Sequence, residues 1–532
     1  MTNTVADITQ LADVIMLVGS NPEEAHPVIG MQLRQAVERG AHLIVVDPRD
    51  IGLAAHADLH LKLRPGTNVA FANGLLHIMV EEGLVDEAFI AEKTEGFDAM
   101  RELVAGYTPE LTAAVCGVDP DDLRQAARLY ATAERAAILY CLGVTEHATG
   151  TEGVMALSNL ALACGNIGRP GCGVNPIRGQ NNVQGACDMG AMPADLTGYQ
   201  KVADPEVLRK FEQAWGVELA GLEPGLKATQ CFEAMGRGEI KGLYIFGEDP
   251  VRTDPDTGHV LHALESLEFL VVQDLFLTET ARLADVVLPG RCYAEKEGTF
   301  TNTERRVQRV RRAVEGPAGS RLDTAVFAEL MRRMGYPQPD LSAEQIMEEI
   351  ARLTPSYGGV SHRRLDSAEV GGRGLQWPCP SQEHPGTPIL HAGGAARGLG
   401  WFSPAPWRPS AEQPDADYPL VLMTGRVLAQ YNACAMTGRT PGLNAMAGTS
   451  FIELNDRDGA ELGVADGDRV QVSSRRGTLV TTARVSDKTR PGEAWMPFHF
   501  QDGNSNLLTI AALDPISHAP EYKVCAVRVE RV

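Results

Sequence analysis

The stretch VIMLVGSNPEEAHPVIGMQLRQAVER, from Val14 to Arg39, decides the fold class of this chain. It joins a short apolar run, a polar loop that begins with glycine, and a segment with apolar residues at helical spacing. Strand, loop and helix in this order are typical of parallel sheets with crossover helices. The stretch therefore predicts a buried parallel strand and a helix, with a ligand-type loop where the strand ends.

The same pattern recurs along more than half of the chain. We predict a mixed α/β fold with two doubly wound, Rossmann-like domains, whose further strands lie at His42 to Asp47, Ala136 to Gly143, Gly242 to Gly247, Phe269 to Asp274 and Ala284 to Gly290. Helices are predicted at Val69 to Glu82 and after Asp119. Short alternating runs beyond Pro419 predict a C-terminal β-barrel domain.

Changes in composition give the predicted domain boundaries. Residues 1–178 form one α/β domain, and residues 179–355 form the remainder of the second. Residues 356–419 are rich in Gly, Pro and Trp and form an irregular connection, and residues 420–532 form the barrel domain. A length of 532 residues agrees with several domains, at roughly 100–200 residues each.

Charge and composition exclude several classes of protein. Lys and Arg number 48 and Asp and Glu 69, which gives a net charge of −21 and offers no basic surface to nucleic acid or anionic lipid. No apolar stretch approaches the roughly 18 residues of a membrane-spanning helix, and the N-terminus lacks the pattern of a secretory signal. The ten cysteines include no CxxC pair. We therefore expect buried thiols in a reducing compartment, with the cytoplasm as the default location.

Polar loops follow four of the predicted strands: GSNPEEAHP, DPRD, GEDP and QDLFLTET. Loops at the carboxyl ends of parallel strands offer backbone N–H groups to anions, so four of them indicate a large, nucleotide-like ligand. Two interpretations of Asp47 remain open from its position. Its carboxylate binds a ribose or a base edge, or it caps a helix.

The stretch GNIGRPGCGVNPIRGQNNVQGACDMG, from Gly165 to Gly190, concentrates glycines, amides and arginines without a helical or strand period. Such a composition indicates a ligand loop in which Arg178 is a fixed cation, although a solvated loop has the same composition. EKEGTFTNTERRVQRV, from Glu295 to Val310, predicts a turn into an amphipathic strand. His147 follows a predicted strand, where either a ligand contact or a structural histidine is expected.

These motifs together resemble the catalytic alpha subunit of molybdenum- or tungsten-dependent formate dehydrogenases. The resemblance rests on GSNPEEAHPVIG, VVDPR, LRPGTN, GEDP, QDLFLTETARLADVVLPG, EGTFTNTERRVQ and above all RGQNNVQGACDMG, which occur in the family's order. It extends from Met1 to Val532. The fold implied has two molybdopterin guanine dinucleotides, one in each α/β domain, and a C-terminal β-barrel that closes over both.

The resemblance also implies the residues that contact the cofactor. One dinucleotide is expected to contact Gly19, Ser20, Asn21, Asp47, Arg49, Gly66, Thr67 and Asn68, with Gly143 and Thr145 nearby. The other is expected to contact Gly247, Glu248, Asp249, Asp274, Thr278, Gly298 and Thr299. Gln180 is also expected to contact the cofactor, with neither dinucleotide specified. Gly425, Arg426, Asn506 and Lys523 are expected to line a shared crevice. A histidine that the family often carries near Gln430 to Asn432 is absent here.

The activity implied is two-electron oxidation of formate to carbon dioxide, and Arg178 matches the arginine that holds the formate carboxylate. The implied partners are formate and electron-transfer subunits of the iron–sulfur, NAD-reducing, hydrogenase or quinone type. A nitrate reductase shares the fold and cofactor and is the competing enzyme interpretation. A cofactor-binding scaffold without catalysis is the interpretation outside the enzymes.

Two elements of the family have no counterpart in this sequence. These are the N-terminal domain that binds a [4Fe–4S] cluster, and the Cys or selenocysteine, followed by His, that ligates the metal. None of the ten cysteines matches a metal ligand. Three explanations remain open: a selenocysteine codon read as a stop, a split or truncated subunit completed by a partner chain, or a cofactor-binding remnant without catalysis.

Overall fold

A computed structural model describes residues 1–370 and 372–532. The chain folds into two compact units, each built from separated segments. Unit 1 comprises Met1–Ile177, Arg252–Val260 and Ile389–Val532, and unit 2 comprises Arg178–Val251 and Leu261–Pro388. The mixed α/β class is confirmed, whereas the domain boundaries expected at residues 178, 355 and 419 stay predictions.

The strands of the described residues are numbered in chain order. They are β1 Val14–Val18, β2 His42–Val46, β3 Leu59–Leu61, β4 Thr94–Glu95, β5 Ala136–Tyr140, β6 Gly173–Pro176, β7 Asp195–Leu196, β8 Gln200–Lys201, β9 Gly242–Phe246, β10 Phe269–Asp274, β11 Val286–Pro289, β12 Gly298–Thr301, β13 Arg306–Val310, β14 Leu375–Gln376, β15 Gly400–Trp401, β16 Leu420–Gly425, β17 Phe451–Asn455, β18 Arg469–Ser473, β19 Thr478–Ser486, β20 Glu493–Pro497 and β21 Cys525–Arg531. Every strand predicted in the α/β part of the sequence is present.

The α-helices are numbered in the same way. They are α1 Val5–Leu11, α2 Pro22–Ala25, α3 Pro27–Glu38, α4 Asn68–Glu81, α5 Glu87–Lys93, α6 Phe97–Val104, α7 Pro109–Cys116, α8 Pro120–Thr132, α9 Leu142–Thr145, α10 Gly150–Ala163, α11 Val183–Asp188, α12 Pro205–Trp215, α13 Ala228–Gly236, α14 Pro250–Thr253, α15 Thr257–Glu265, α16 Glu279–Leu283, α17 Asp323–Arg333, α18 Ala343–Leu353, α19 His362–Leu365, α20 Pro441–Met446 and α21 Asp456–Leu462. The predicted helices after Asp119 and near Val69 are confirmed as α8 and α4.

Unit 1 contains a five-stranded parallel sheet with strand order β3-β2-β1-β5-β6. All five residues of β1 are buried, and successive side chains point to opposite faces. Met16 packs in the core with residues of α4, α8 and α10, whereas Leu17 packs with residues of α1 and α3. Helices on both faces explain why β1 is apolar throughout and does not alternate with polar residues.

The C-terminal part of unit 1 is a closed six-stranded barrel with strand order β16-β20-β17-β19-β18-β21. The predicted barrel is confirmed, and β16, β18, β19 and β21 match the alternating runs in the sequence. The strands β17 and β20 were not predicted from the sequence. Each is buried at all five positions, so neither shows the alternation that indicates a half-buried strand.

Unit 2 contains a smaller parallel sheet, β11-β10-β9, and an antiparallel sheet, β12-β13-β14. The count of two doubly wound domains therefore stays a prediction. The stretch from Gly165 to Gly190, which shows no helical or strand period in the sequence, includes two short regular elements. It contains β6, which pairs with β5 at the edge of the unit 1 sheet, and the short helix α11, both too short to give a period in the sequence.

All ten cysteines are free thiols, and six of them are buried. The reducing compartment stays a prediction. Within the described part of the chain, no helix combines the length and apolar character needed to cross a membrane.

Candidate functional site

In unit 1 the ends of three parallel strands meet through two glycines. The amide of Gly143 donates to the carbonyl of Gly19 at 3.0 Å, and the amide of Gly19 donates to the carbonyl of Val46 at 2.8 Å. A Cβ added to Gly19 would lie 2.6 Å from the carbonyl carbon of Gly143, and Gly19 has a φ of +54°. The close approach therefore requires glycine, and it brings together the carboxyl ends of β1, β2 and β5, where doubly wound sheets bind ligands.

The N-terminus of α4 lies at the same place. Asn68, its first residue, donates from Nδ2 to the carbonyl of Gly143 at 3.0 Å. The hydroxyl of the N-cap residue Thr67 donates to the carbonyl of Arg64 at 2.7 Å and caps no amide of the helix. The first-turn amides of this 14-residue helix therefore lack a side-chain cap, an arrangement that favours an anion. The preceding Gly66 accepts a hydrogen bond from the indole of Trp407 at 3.0 Å.

Two polar atoms in the loop after β1 are buried without a hydrogen-bond partner among the described residues. They are the hydroxyl oxygen of Ser20 and the side-chain carbonyl oxygen of Asn21. Burying such groups unpaired costs free energy, so they indicate a site where a ligand supplies the missing hydrogen bonds. Their place next to Gly19 fits a bound dinucleotide.

Asp47 and Arg49 lie just after β2. The Asp47 carboxylate accepts from the amide of Arg49 at 3.0 Å and caps no helix, so the helix-cap interpretation is wrong. Burial raises the pKa of Asp47 to about 6, and the neighbouring positive charge of Arg49 partly offsets this rise. The Arg49 guanidinium donates twice to the Glu453 carboxylate, at 3.0 and 2.8 Å, and stacks on the Trp495 ring at 4.2 Å. Sequence reasoning missed these two barrel residues because nothing in their local pattern marks them.

The C-terminal candidates of unit 1 are engaged with other protein groups. The Lys523 ammonium pairs with Glu146 at 2.7 Å and donates to the carbonyl of Thr424 at 3.1 Å. Asn506 donates to the carbonyls of Arg252 and Thr253 at 2.9 and 3.0 Å. These contacts fix the direction of both side chains.

Arg426 lies between the rings of Tyr431 and Phe498, at 5.5 and 5.4 Å, and donates to Asn432 Oδ1 at 2.9 Å. Burial lowers the pKa of its guanidinium. At the adjoining Gly425, a Cβ would overlap the Trp495 ring. Backbone and side chain at these two positions are therefore closely held by aromatic rings.

A histidine that sequence reasoning missed holds the loop after Arg426. His499 Nε2 accepts from the amide of Val427 at 3.0 Å, and its Nδ1–H donates to the carbonyl of Asn432 at 2.5 Å. Burial lowers the pKa of His499 to about 4, which keeps the ring neutral, as this pair of bonds requires. His499 thus contacts the segment where the sequence lacks the expected histidine.

In unit 2 the loop that carries Arg178 is tied to the loop before β13. The amide of Arg178 donates to the Thr303 hydroxyl at 3.0 Å. The Asn182 side chain accepts from the amide of Thr301 at 2.8 Å. Two hydrogen bonds, one at Arg178 and one at Asn182, therefore tie this loop to residues 301–303. Gln180, which lies between the two, is exposed.

The same loop ends at Asp188, a fully buried carboxylate that sequence reasoning missed. Four neutral groups donate to it: Gln184 Nε2 at 2.8 Å, Tyr199 Oη at 2.8 Å, Tyr357 Oη at 2.5 Å and Trp377 Nε1 at 2.6 Å. Burial and the adjacent carboxylate raise the pKa of both tyrosines, so both remain donors. Asp188 joins α11 to three distant segments of unit 2 and sets the course of the loop.

The other unit 2 candidates occupy the ends of β9 and β10. The amide of Gly247 donates to the carbonyl of Gln273 at 2.8 Å, so Gly247 lies beside Asp274 across paired strands. The buried Asp249 accepts from the amide and hydroxyl of Thr280 at 2.9 and 2.6 Å.

Four further candidates differ from these in environment. Thr278 caps α16 by accepting from the amide of Ala281 at 3.2 Å. Glu248 is exposed. Gly298 and Thr299 begin β12 and therefore belong to the antiparallel sheet, not to the sheet that carries Gly247. Among residues 1–370 and 372–532, no group of three or more His, Cys, Asp or Glu side chains is placed to hold a metal ion.

Parts of both units match known protein families. The family described as "Molybdopterin oxidoreductase" matches residues 1–333, and the family described as "Molydopterin dinucleotide binding domain" matches residues 420–526. The chain is 47% identical to the F420-dependent formate dehydrogenase 2 subunit alpha of Methanococcus maripaludis, over 100% of this chain and 78% of the relative. It is 40% identical to formate dehydrogenase H of Escherichia coli, over 100% of this chain and 74% of the relative.

A solved structure has a similar fold. Acetylene hydratase from Pelobacter acetylenicus superimposes with a TM-score of 0.76 at 19% identity, over 100% of this chain and 79% of that chain. At this identity the likeness concerns the fold alone.

Proposed function

The chain belongs to the molybdopterin oxidoreductase family, and we propose that it is the catalytic subunit of a formate dehydrogenase. The reaction removes two electrons and a proton from formate and releases carbon dioxide. The main support is the identity of 40 to 47% to subunits named as formate dehydrogenases, over the whole of this chain. The RGQNNVQGACDMG loop, which is held by hydrogen bonds at Arg178 and at Asn182, supports the same assignment.

The cofactor is part of the proposal: two molybdopterin guanine dinucleotides that hold molybdenum or tungsten. When bound, this group supplies the metal centre that takes up the two electrons. In unit 1 the proposed contacts are Gly19, Ser20, Asn21, Asp47, Arg49, Gly66, Thr67, Asn68, Gly143, Thr145, Gly425, Arg426, Asn506 and Lys523. In unit 2 they are Gln180, Gly247, Glu248, Asp249, Asp274, Thr278, Gly298 and Thr299. The joined glycines and the unpartnered atoms of Ser20 and Asn21 support the first set.

Arg178 is the proposed substrate residue. A guanidinium presents parallel N–H donors that match a carboxylate, and its positive charge persists at any physiological pH. Held at its backbone by Thr303, the side chain orients the formate carboxylate and offsets negative charge on its oxygens as the C–H bond breaks. The four donors on Asp188 keep the loop rigid, which limits the movement of Arg178 during turnover.

The proposal includes a polypeptide segment outside this sequence that supplies the metal ligand and a [4Fe–4S] cluster. Two observations support it. The chain covers 78% and 74% of the two relatives, so they contain sequence that has no counterpart here. The unit 2 parallel sheet also exposes Phe246, Phe269, Val286 and Val287, although parallel sheets are normally covered on both faces. Electron-transfer subunits of the iron–sulfur, NAD-reducing, hydrogenase or quinone type complete the proposed assembly, and a cytoplasmic location stays a prediction.

A comparison of two substrates tests the function. The purified holoprotein, with any chains that copurify, is given formate and an oxidised dye, and separately nitrate and a reduced dye. We expect dye reduction by formate and no dye oxidation by nitrate. Activity with nitrate alone would replace the proposal by a nitrate reductase. Bound dinucleotide without either activity would favour a cofactor-binding scaffold.

A further inference from the structure

His147 is a buried histidine next to the strand ends that meet in unit 1. Only 3% of its surface is exposed. Its Nε2–H donates to the carbonyl of Gly143 at 3.1 Å, and the same carbonyl accepts from Asn68 Nδ2 at 3.0 Å. The amide of Gly143 meanwhile donates to Gly19. His147 therefore supports the residue whose two backbone groups join β1, β5 and α4.

The other ring nitrogen faces a carboxylate from the C-terminal segment. His147 Nδ1 lies 3.5 Å from Glu521 Oε1, and Glu521 is only 1% exposed. Nδ1 has no hydrogen-bond partner among the described residues, so the two side chains meet in a close buried contact without a hydrogen bond. This contact links the residues after β5 to the C-terminal segment.

A second pair of side chains joins the same two segments of the chain. Glu146 pairs with Lys523 at 2.7 Å, and Glu521 is also fixed by the amide of Ala411, which donates to its Oε2 at 3.3 Å. Two consecutive residues after β5 are thus tied to two residues just before β21. The turn that contains Gly143 cannot shift without disturbing both pairs.

We propose that His147 is a positioning residue of the unit 1 dinucleotide site. It holds the Gly143 carbonyl in place and transmits the support of Glu521 to the Gly19–Gly143 contact. This inference rests on the proposed function, because it assumes that a dinucleotide binds there. It assigns His147 no contact with substrate or with reacting atoms.

The test counts bound guanine nucleotide, released by acid from the purified holoprotein and quantified by chromatography, in wild type, His147→Ala and His147→Gln. Glutamine retains an N–H for the Gly143 carbonyl but lacks the ring nitrogen that faces Glu521. The matched control is His77→Gln, because His77 also bonds a backbone carbonyl, that of Val104 at 2.9 Å, on the side of α4 that packs against α6.

We expect His147→Ala to lose about half of the bound nucleotide, because the unit 2 site is unaffected, His147→Gln to lose less, and His77→Gln to lose none. If His147→Ala fails to fold, the nucleotide content of His147→Gln is compared with that of the His77→Gln control instead. Full nucleotide content in the His147 variants, or an equal loss in the control, would overturn the positioning role. Wild-type protein without guanine nucleotide would overturn the proposed cofactor as well.

Discussion

The carbonyl of Gly19 accepts the amide of Gly143 at 3.0 Å, and a Cβ on either residue would lie within 3 Å of the other's backbone. The two residues follow different strands of the same parallel sheet, β1 and β5. No larger residue fits at either position without separating the strand ends. The requirement for glycine on both sides is therefore a property of the pair and not of one turn.

Gly143→Ala tests this relationship. A Cβ 2.7 Å from Gly19 Cα must push the strand ends apart, so we expect a free energy of unfolding lower by about 1–3 kcal/mol and loss of bound nucleotide from unit 1. Gly106→Ala is the matched control, since a Cβ there meets nothing within 4 Å. Thermal unfolding and nucleotide content are measured together. A Gly143 variant that behaves like its Gly106 control would refute the close approach.

Arg178→Lys tests the substrate residue. Lysine keeps the positive charge but loses the parallel pair of N–H donors, so we expect kcat/KM for formate to fall by about a hundredfold or more. Arg178→Ala is expected to remove turnover. Metal and nucleotide content are measured as controls and should match wild type, because the backbone amide that binds Thr303 remains. Unchanged turnover in the alanine variant would remove Arg178 from the mechanism.

Asp188→Asn tests the buried carboxylate that holds the loop. In asparagine an amide nitrogen replaces one carboxylate oxygen, and this nitrogen cannot accept the hydrogen bonds that the oxygen accepted. We therefore expect the unfolding free energy to fall by about 2–4 kcal/mol. Tyr199→Phe removes one donor of four and should cost about 1 kcal/mol. Since the Trp377 indole donates to Asp188, a change in tryptophan fluorescence should accompany the Asp188 substitution. If Asp188→Asn lowered the unfolding free energy no more than Tyr199→Phe does, the Asp188 carboxylate would not be the common acceptor of the four hydrogen bonds.

Glu493→Gln tests a buried carboxyl of the barrel. Burial raises the pKa of Glu493 to about 7 from an ordinary value of 4.5, despite the nearby Arg490, and its Oε2 has no partner among the described residues. The folded state binds the proton more tightly than the unfolded state does, so the unfolding free energy falls as pH rises from about 4.5 to 7. Glutamine does not ionise, so above pH 7 the Glu493→Gln variant should avoid up to about 3 kcal/mol of this loss in unfolding free energy.

The difference in unfolding free energy between Glu493→Gln and wild type is measured by denaturant titration at several pH values. It should grow with pH through this window. His499 has the opposite effect, since its lowered pKa of about 4 costs stability as pH falls below 6.5, so only the difference isolates Glu493. A difference that does not vary with pH would show that Glu493 ionises normally.

Residues with a strong local pattern could be predicted from the sequence. The strand β1 is a pure apolar run, and Asp119 precedes α8 as its side-chain cap, so both were expected where the structure has them. The glycine of the loop after β1 was also a candidate from the sequence, because ligand loops follow parallel strands. The strands β17 and β20 were not predictable, since complete burial removes their alternation.

The partners of the candidate residues could not be predicted. Asp188 binds Tyr357 and Trp377, and Arg49 binds Glu453, across sequence distances that no local pattern spans. His147 stood out by its place after a strand, but its role depends on Glu521, which only the folded chain brings near. Such contacts depend on tertiary packing, and a single sequence does not reveal them.

The yield of labelled carbon dioxide from [13C]formate, counted against the electrons delivered to a dye, tests the central claim most directly. The assay uses purified holoprotein with any chains that copurify. We predict one molecule of labelled carbon dioxide for each pair of electrons, and no product from the Arg178→Ala variant at equal metal content. Holoprotein with bound dinucleotide and metal that leaves [13C]formate unchanged would contradict the assignment as a formate dehydrogenase.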